Sequence, residues 1–327
     1  MGEEKEATVI IPNWNGMAFL PSCIAALKNQ TVSDFDILVI DNASEDGSVL
    51  WMERNSVPFI RENRNLGFAA AVNDGIKAAK TPYVILLNND TEVFPGFAEN
   101  LIRMIGKSRK IFSVSSMMLR FDDHDLIDDA GDGMSLLGWA FQKGTGQKKE
   151  RFLIRREVFS ACGGAAIYRR SIFDEIGFFD EAHFCYLEDI DIGWRAKLAG
   201  YHNLYCPAAK VLHKGSATSG SKYNDFKVRL TARNNIYLHY KNQPFLQLLL
   251  NFDFLLDGIL IKAVFFARKG FAKSYFSGVF EGLSTLHRVK KVRFGKAAGR
   301  RCLAIEWEMI AGTVEYVYNY LLRGKHD

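Results

Sequence analysis

Proline and cysteine are both scarce in this 327-residue chain, with seven of the first and five of the second. The cysteines, Cys23, Cys162, Cys185, Cys206 and Cys302, are odd in number and form no C-x-x-C pair. That excludes a fold stapled by disulfides and leaves free, mostly buried thiols in a reducing compartment as the expectation. No G-x-G-x-x-G follows an apolar run and no G-x-x-x-x-G-K-[ST] occurs. A dinucleotide-binding unit and a P-loop both lose their main support. Long apolar runs are missing too: the longest candidate is interrupted by Asn251, Asp253, Asp257 and Lys262, short of the roughly 18 uncharged residues that cross a bilayer. The start, Met1-Gly2-Glu3-Glu4-Lys5-Glu6, lacks the basic segment and cleavage site of a signal peptide. Neither secretion nor a simple transmembrane anchor is expected.

The composition, 48% hydrophobic and 24% charged, is that of a folded chain and excludes wholesale disorder. Its net charge of +5 is unevenly placed. Residues 1–240 hold 28 Lys and Arg against 30 Asp and Glu, a net of −2, whereas residues 241–327 hold 14 against 7, a net of +7.

Within the first ninety residues, ATVIIP (7–12), FDILVID (35–41), VPFIR (57–61) and YVILL (83–87) read as buried strands. Leu20–Asn29 and Gly67–Ala79 carry helix-period apolar positions between them. Continuous apolar strands alternating with helices predict a mostly parallel α/β sheet covered on both faces. Ligands of such sheets bind beyond the carboxyl ends of the strands. Asn13 and Asn15, Asp41 and Asn42, Asn63 and Asn65, then Asn88, Asn89 and Asp90 stand at those ends in turn. Further on, Asp122-Asp123-His124-Asp125 and Asp128-Asp129 are acidic patches, and the Gly- and Lys/Arg-rich residues 144–156 read as a mobile loop. Ala161–Tyr168 and Tyr205–Leu212 read as strands around a helix at about 188–199 that stops at Gly200. From Asn224 the pattern is helical.

With no phosphate-binding loop, a bound nucleotide needs another source of positive charge, and a divalent metal on carboxylate oxygens is the natural substitute. Asp90 follows a strand, and alternation puts Asn88 on its side; a simple turn explains the same residues. His213 follows the apolar Val211-Leu212 and joins the site only if Asp90 lies nearby. Glu188, Asp189 and Asp191 open a helix, where the dipole favours negative charge. Asp191 is spaced for an ion pair with Arg195, whereas Asp189 has no such partner and is the candidate base.

Seven segments in order, VIIPNWNG (9–16), VIDNASEDGS (39–48), NRNLGFAAAVNDGI (63–76), ILLNNDTEV (85–93), ACGGAAIYRRS (161–171), FFDEAHFCYLEDIDIGWRAKLAGY (178–201) and VLHKGS (211–216), resemble the inverting family 2 glycosyltransferases of the GT-A fold. The likeness is greatest to the bacterial and archaeal rhamnosyltransferase-like branch and covers about residues 7–240. It implies a nucleoside-diphosphate sugar donor, Mg²⁺ or Mn²⁺, and an acceptor hydroxyl on a glycan or lipid-linked glycan. Asp41 would contact the nucleotide base, and Pro12, Asn13, Asn65, Gly67, Asn73, Asn89 and Gly164 would line the nucleotide-sugar side. Asn88 and Asp90 occupy the D-x-D metal motif, with Asn replacing its first Asp, and His213 would complete the coordination. Asp189 would be the catalytic base, with Glu188 and Trp194 on the acceptor side. Rhamnose is the sugar suggested; galactofuranose, glucose and amino sugars stay open. A nucleotidyltransferase would need a basic Gly-rich loop after the first strand, and Pro12-Asn13-Trp14-Asn15-Gly16 has no Lys or Arg. A non-catalytic sugar-binding or scaffold protein is the third reading, disfavoured by Asp90, Asp189 and His213.

The division expected is a catalytic domain over 1–240, with a nucleotide-binding half (1–90) and an acceptor half (91–240), then a basic helical region over 241–327. In the latter, apolar residues recur at helical spacing through Phe245–Ile259, Tyr275–Leu283 and Trp307–Leu321, three amphipathic helices. His287 to Arg293, Lys296, Arg300 and Arg301 add the basic charge. An anionic membrane surface is the expected partner, and packing on the catalytic domain or a second copy in a homo-oligomer is the alternative. No nucleic-acid motif occurs. The expected location is cytoplasmic and peripheral, on the inner membrane face.

Overall fold

The computed structural model describes residues 5–215, 223–295 and 298–323; Ser216 and Lys296 lie outside them. In chain order the first elements are β1 (Ala7–Asn13), α1 (Leu20–Lys28), β2 (Phe35–Asp41), α2 (Ser48–Arg54), β3 (Phe59–Arg61), α3 (Phe68–Ala78) and β4 (Tyr83–Leu87). Next come β5 (Thr91–Val93), α4 (Phe97–Ile105), β6 (Ile111–Arg120), β7 (Ile127–Asp129), β8 (Asp132–Met134), β9 (Ala140–Gln142), β10 (Arg156–Glu157) and β11 (Ala165–Arg169). The chain continues through α5 (Arg170–Ile176), α6 (Glu188–Ala199) and β12 (His202–His213). It ends in α7 (Asp225–Asn242), α8 (Phe245–Leu250), α9 (Phe252–Arg268), α10 (Ala272–Ser284) and α11 (Ala298–Arg323).

The ten-stranded sheet has the order β10-β12-β6-β11-β4-β1-β2-β3, with β5 on β12 and β7 on β6. β1 pairs in parallel with β2 and β4, and β2 with β3. β11 enters antiparallel between β4 and β6, so the sheet is mixed but mostly parallel. Strand alternation divides the core between its faces. Val9, Ile11, Ile85, Leu87 and Ile167 meet α1, α2 and α4 on one side. Ile10, Val84, Leu86, Ala166 and Tyr168 meet α3, α5 and α6 on the other. Both faces are covered, which is why these strands are apolar throughout.

Three local expectations change. Residues 144–156 are anchored: Phe152 is buried beside Tyr205 and stacks under the Arg156 guanidinium, 4.8 Å from its ring centroid. Its single aromatic side chain outweighs the surrounding Gly, Lys and Arg. The run from Phe245 to Ile259 is two helices, broken at Asn251, whose side-chain amide donates to Glu306 at 3.1 Å. The strand foreseen from Ala161 begins at Ala165, because Gly163 and Gly164 turn into it.

The change of charge sign at residue 240 falls inside α7. Beyond it, Ala298, Cys302, Ile305 and Met309 of α11 share a core with Phe159, Ile190 and Trp194. Glycine permits the closest contacts: a Cβ on Gly258 would lie 1.9 Å from the Leu137 carbonyl oxygen, and one on Gly312 2.1 Å from that of Met134. α8 differs, since none of its residues is buried although its sequence is FLQLLL. No helix among the described residues is long and apolar enough to cross a membrane.

The tie between α6 and α7 is ionic. Asp191 is fully buried and accepts from Arg195 Nε at 2.9 Å, Lys241 Nζ at 2.9 Å and Asn242 Nδ2 at 2.8 Å. Burial alone would raise the Asp191 pKa, but Arg195 and Lys241 outweigh it and hold the carboxyl well below the usual range. Breaking a buried pair by removing one partner typically costs about 3–5 kcal/mol. Asp191→Ala is therefore expected to lower unfolding stability by about that amount, read from the denaturant midpoint at neutral pH; a loss below about 1 kcal/mol would contradict this account.

Candidate active site

The carboxyl ends of β1 and β4, the turn before α3 and the N-terminus of α6 open onto one cavity of about 1170 Å³. Pro12, Asn13, Asn65, Gly67, Asn88, Asn89, Asp90, Gly164, Glu188, Asp189 and His213 all line it, so eleven residues singled out from the sequence converge. The alternation argument for Asn88 and Asp90 does not hold. β4 stops at Leu87, and the Thr91 hydroxyl donates to the Asn88 carbonyl at 2.6 Å, closing a turn. That turn presents Asn88, Asn89 and Asp90 together.

Three expected residues lie elsewhere. Asp41 is fully buried behind the cavity, accepting from Asn13 Nδ2 at 3.0 Å and the Ser44 amide at 3.0 Å. Its carboxylate holds Asn13, which also accepts from Asn89 Nδ2 at 2.8 Å. A Cβ on Gly16 would meet both Asn side chains at about 2.1 to 2.2 Å. The close packing of this pair requires glycine there. Asn73 is buried with its amide committed to the Phe179 backbone, at 2.9 and 3.0 Å, and to Glu181 at 3.0 Å. It fastens α3 to the segment before α6. Trp194 is 1% exposed and sits edge-on between Phe159 and His239 in the core shared with α11.

Asp90 and His213 meet as the sequence required, with His213 Nε2 3.4 Å from Asp90 Oδ1. The Asp128 carboxylate, not assigned from sequence, stands 2.7 Å from His213 Nδ1. Burial would lower the His213 pKa, but the hydrogen bonds to Asp128 and Asp90 outweigh it and push it up to about 10. A carboxylate oxygen, an imidazole nitrogen and the nearby Asn88 amide form a donor set that suits Mn²⁺ or Mg²⁺. The residues present fit a divalent cation, and a carboxylate on the second ring nitrogen is the usual means of fixing a metal-binding histidine.

The α6 end is built on unusual backbone. Phe184, Tyr186 and Leu187 have φ of 64°, 72° and 67°, left-handed values that cost non-glycine residues about 1–3 kcal/mol each. Asn234 Nδ2 holds this loop by its carbonyls, donating to His183 at 2.9 Å, Cys185 at 2.8 Å and Tyr186 at 2.8 Å. Gly67 (φ 87°) packs beneath it, where a Cβ would lie 2.5 Å from the Phe184 carbonyl oxygen. Among the described residues Asp189 then accepts from the amides of Gly163, at 3.2 Å, and Ile190, at 2.8 Å. Burial raises its pKa, partly offset by those amides, while burial and the Asp189 charge raise that of Glu188 well above the usual range. Asp129, Asp132 and Cys162 have ligand atoms within 4.8 Å of one another, and the last two line the cavity. Burial pushes Asp129 up to about 7 and Asp132 well above its usual value. The signal for Asp128 was the acidic pair after Ile127; nothing local announces Asn234 or the left-handed loop.

A mostly parallel sheet with Asp and His gathered at its carboxyl ends, facing a cavity of this size, is that of an α/β protein with a ligand site at its strand ends. Residues 8–177, just over half the chain, match the profile of Glycosyl transferase family 2, and the protein belongs to that family. N-acetylglucosaminyl-diphospho-decaprenol L-rhamnosyltransferase of Mycobacterium tuberculosis is 28% identical over 222 residues, 60% of this chain and 72% of the relative. Among solved structures, mannosyltransferase PcManGT from Pyrobaculum calidifontis, in complex with GDP-Man and Mn²⁺, aligns with a TM-score of 0.55 at 13% identity, over 98% of this chain and 88% of that one. GalNAc-T7 with UDP, GalNAc and Mn²⁺ also gives 0.55, at 19% identity, over 72% of this chain and 50% of that one. These two alignments establish the fold.

Loss of an outer-shell carboxylate typically weakens a metal site by about 10–100-fold. Asp128→Asn is accordingly expected to weaken Mn²⁺ binding by about that factor, measured by calorimetry. Unaltered Mn²⁺ affinity would remove Asp128 from this position.

Proposed function

We propose that this glycosyltransferase moves one sugar, with inversion, from a nucleoside-diphosphate sugar to a hydroxyl of a glycan or lipid-linked glycan. The observation that carries the reading is the placement of an uncommitted carboxylate, Asp189, in the same cavity as the Asp90–His213 pair. Pro12, Asn13, Asn65, Gly67 and Asn89 take the nucleotide side, with Asp41 acting through Asn13. Asp90 and His213, with Asn88, hold Mg²⁺ or Mn²⁺. The bound cation supplies positive charge toward the donor diphosphate.

Asp189 takes the proton from the acceptor hydroxyl as that oxygen attacks the anomeric carbon opposite the diphosphate. A single displacement inverts the centre. The raised pKa makes Asp189 a stronger base than an ordinary aspartate, and its two amide donors keep it aimed. Gly163 and Gly164 keep this wall low: a Cβ on Gly164 would lie 3.1 Å from Asn88 Nδ2. Glu188 borders the acceptor side. The Mycobacterium tuberculosis relative is named as an L-rhamnosyltransferase, and rhamnose is the sugar we assign first.

Asp189→Asn is expected to keep nucleotide-sugar binding while lowering transfer by at least about a hundredfold, since general base catalysis contributes roughly 10²–10⁴. Near-normal turnover in that variant removes Asp189 from the role.

From the helices after residue 240 we infer a peripheral position on an anionic membrane surface at the cytoplasmic face. Phe245 is 75% exposed and Leu249 61% on a helix that buries nothing. Arg268, Lys269, Lys273, Arg288 and Lys290 are exposed on the neighbouring elements, each contributing about 1 kcal/mol near anionic lipid. The full chain is expected to float with phosphatidylglycerol-containing vesicles, and Phe245→Ser with Leu249→Ser to float less at an unchanged unfolding midpoint. Equal flotation overturns the assignment, as does a dimer in solution that the double variant dissolves.

A further inference from the structure

The cavity is larger than one ligand needs: about 1170 Å³, against the roughly 300–1,000 Å³ of a single small-molecule site. Away from Asp90 and His213 its lining continues past Asp189 to Phe226, Thr231, Lys262 and Phe266. Lys262, on α9, is a cation unlike the other inward-facing lysines. Lys241 is paired with Asp180 and Asp191, and Lys197 with Glu157 and Glu308. Lys262 makes no ion pair among the described residues; its Nζ lies 5.5 Å from the Trp139 ring centroid. Burial alone lowers its pKa, to about 8, with no charged neighbour acting on it. It remains largely cationic at neutral pH. A half-buried charge without a counter-ion is costly, and an anionic ligand entering the cavity would remove that cost.

The surroundings narrow the kind of anion. Phe226 and Phe266 give this end aromatic walls. On α9 the neighbours Leu260, Ile261, Val264 and Phe265 are 40–54% exposed, so the helix that holds the cation also presents an apolar face to the outside. Resting on the catalytic reading above, we propose that Lys262 binds the phosphate of a lipid-phosphate-linked acceptor. The lipid chain packs on Phe226 and Phe266, and the acceptor sugar lies toward Asp189. The donor diphosphate occupies the opposite, Asp90–His213 end.

Calorimetry on the full chain tests this, with farnesyl phosphate, farnesol and inorganic phosphate as probes and EDTA present to keep metal from the other end. Farnesyl phosphate is expected to bind at least about tenfold more weakly to Lys262→Met than to the native chain, as befits a charge-assisted contact, with Lys262→Arg retaining binding. Farnesol is expected to bind both alike, and inorganic phosphate not to displace farnesyl phosphate at equal concentration. Unchanged farnesyl phosphate affinity in Lys262→Met overturns the proposal, as does a parallel loss of farnesol binding, which marks a packing defect. Displacement by inorganic phosphate overturns it too, by making this a free-anion site. Lys262→Gln serves if the Met variant does not fold. Nucleotide-sugar cleavage is a separate readout: intact cleavage without lysine-dependent binding sinks this proposal alone, and the reverse sinks the catalytic reading alone.

Discussion

The buried Asp191 carboxylate is the constraint on which the active-site end of this molecule depends. It joins Arg195 on its own helix to Lys241 and Asn242 at the end of α7. Arg195 in turn donates to the Ile176, Gly177 and Phe178 carbonyls at 2.6 to 2.9 Å, and Lys241 to Asp180 at 2.6 Å. One residue pair along, Asp189 meets no cation among the described residues and has a raised pKa, whereas Asp191 is held low. Two aspartates on one helical turn thus have their pKa values shifted in opposite directions, because one points into a lattice of cations and the other into a cavity. The pairing of the first fixes the position of the second.

The same lattice stabilises a loop that would not keep its shape alone. Three left-handed non-glycine residues precede Asp189, and Asn234 of α7 holds the same loop by the carbonyls of His183, Cys185 and Tyr186. The strain is local, but the groups that offset it are about 50 residues away in sequence. α7 is therefore a working wall of the site although its residues carry no reacting group. That also explains why the helices beyond residue 240 share core with α6: displacing α11 would expose Trp194 and Ile190, directly behind Glu188 and Asp189.

What could be read from the sequence follows from the range of the interactions concerned. Strand runs such as TVIIP and YVILL, and the stop of α6 at Gly200, are local signals, and their boundaries were legible to within a residue or two. The clustering of Asn13, Asn88, Asp90 and His213 was legible because parallel sheets gather carboxyl ends at one edge. Asp41, Asn73 and Trp194 were misplaced for a shared reason. A polar or aromatic residue beside a functional segment can face the ligand or hold the segment from behind, and sequence spacing does not separate the two. Asp41 fixes Asn13, Asn73 fixes Phe179, and Trp194 packs on α11. Asn234 acts across the fold, where no local pattern announces it, and Asp128 had only the acidic pair after Ile127 to mark it.

On the proposed reading of Asp90 and His213 as metal ligands, the structure suggests how the chain would tolerate Asn88 in place of a carboxylate. An Asn at that position removes one negative charge from the group facing a cation. Asp128 restores one a layer behind, on the far nitrogen of His213, where it polarises the imidazole without entering the cavity. Because the compensating charge reaches the site through a neutral-capable ring, the front of the cavity keeps an amide able to donate to a sugar or phosphate oxygen, which a carboxylate cannot do. On that reading charge moves from the ligand-facing layer to the supporting layer, and the burden of orienting a bound cation would fall on His213 and Asp90, 3.4 Å apart.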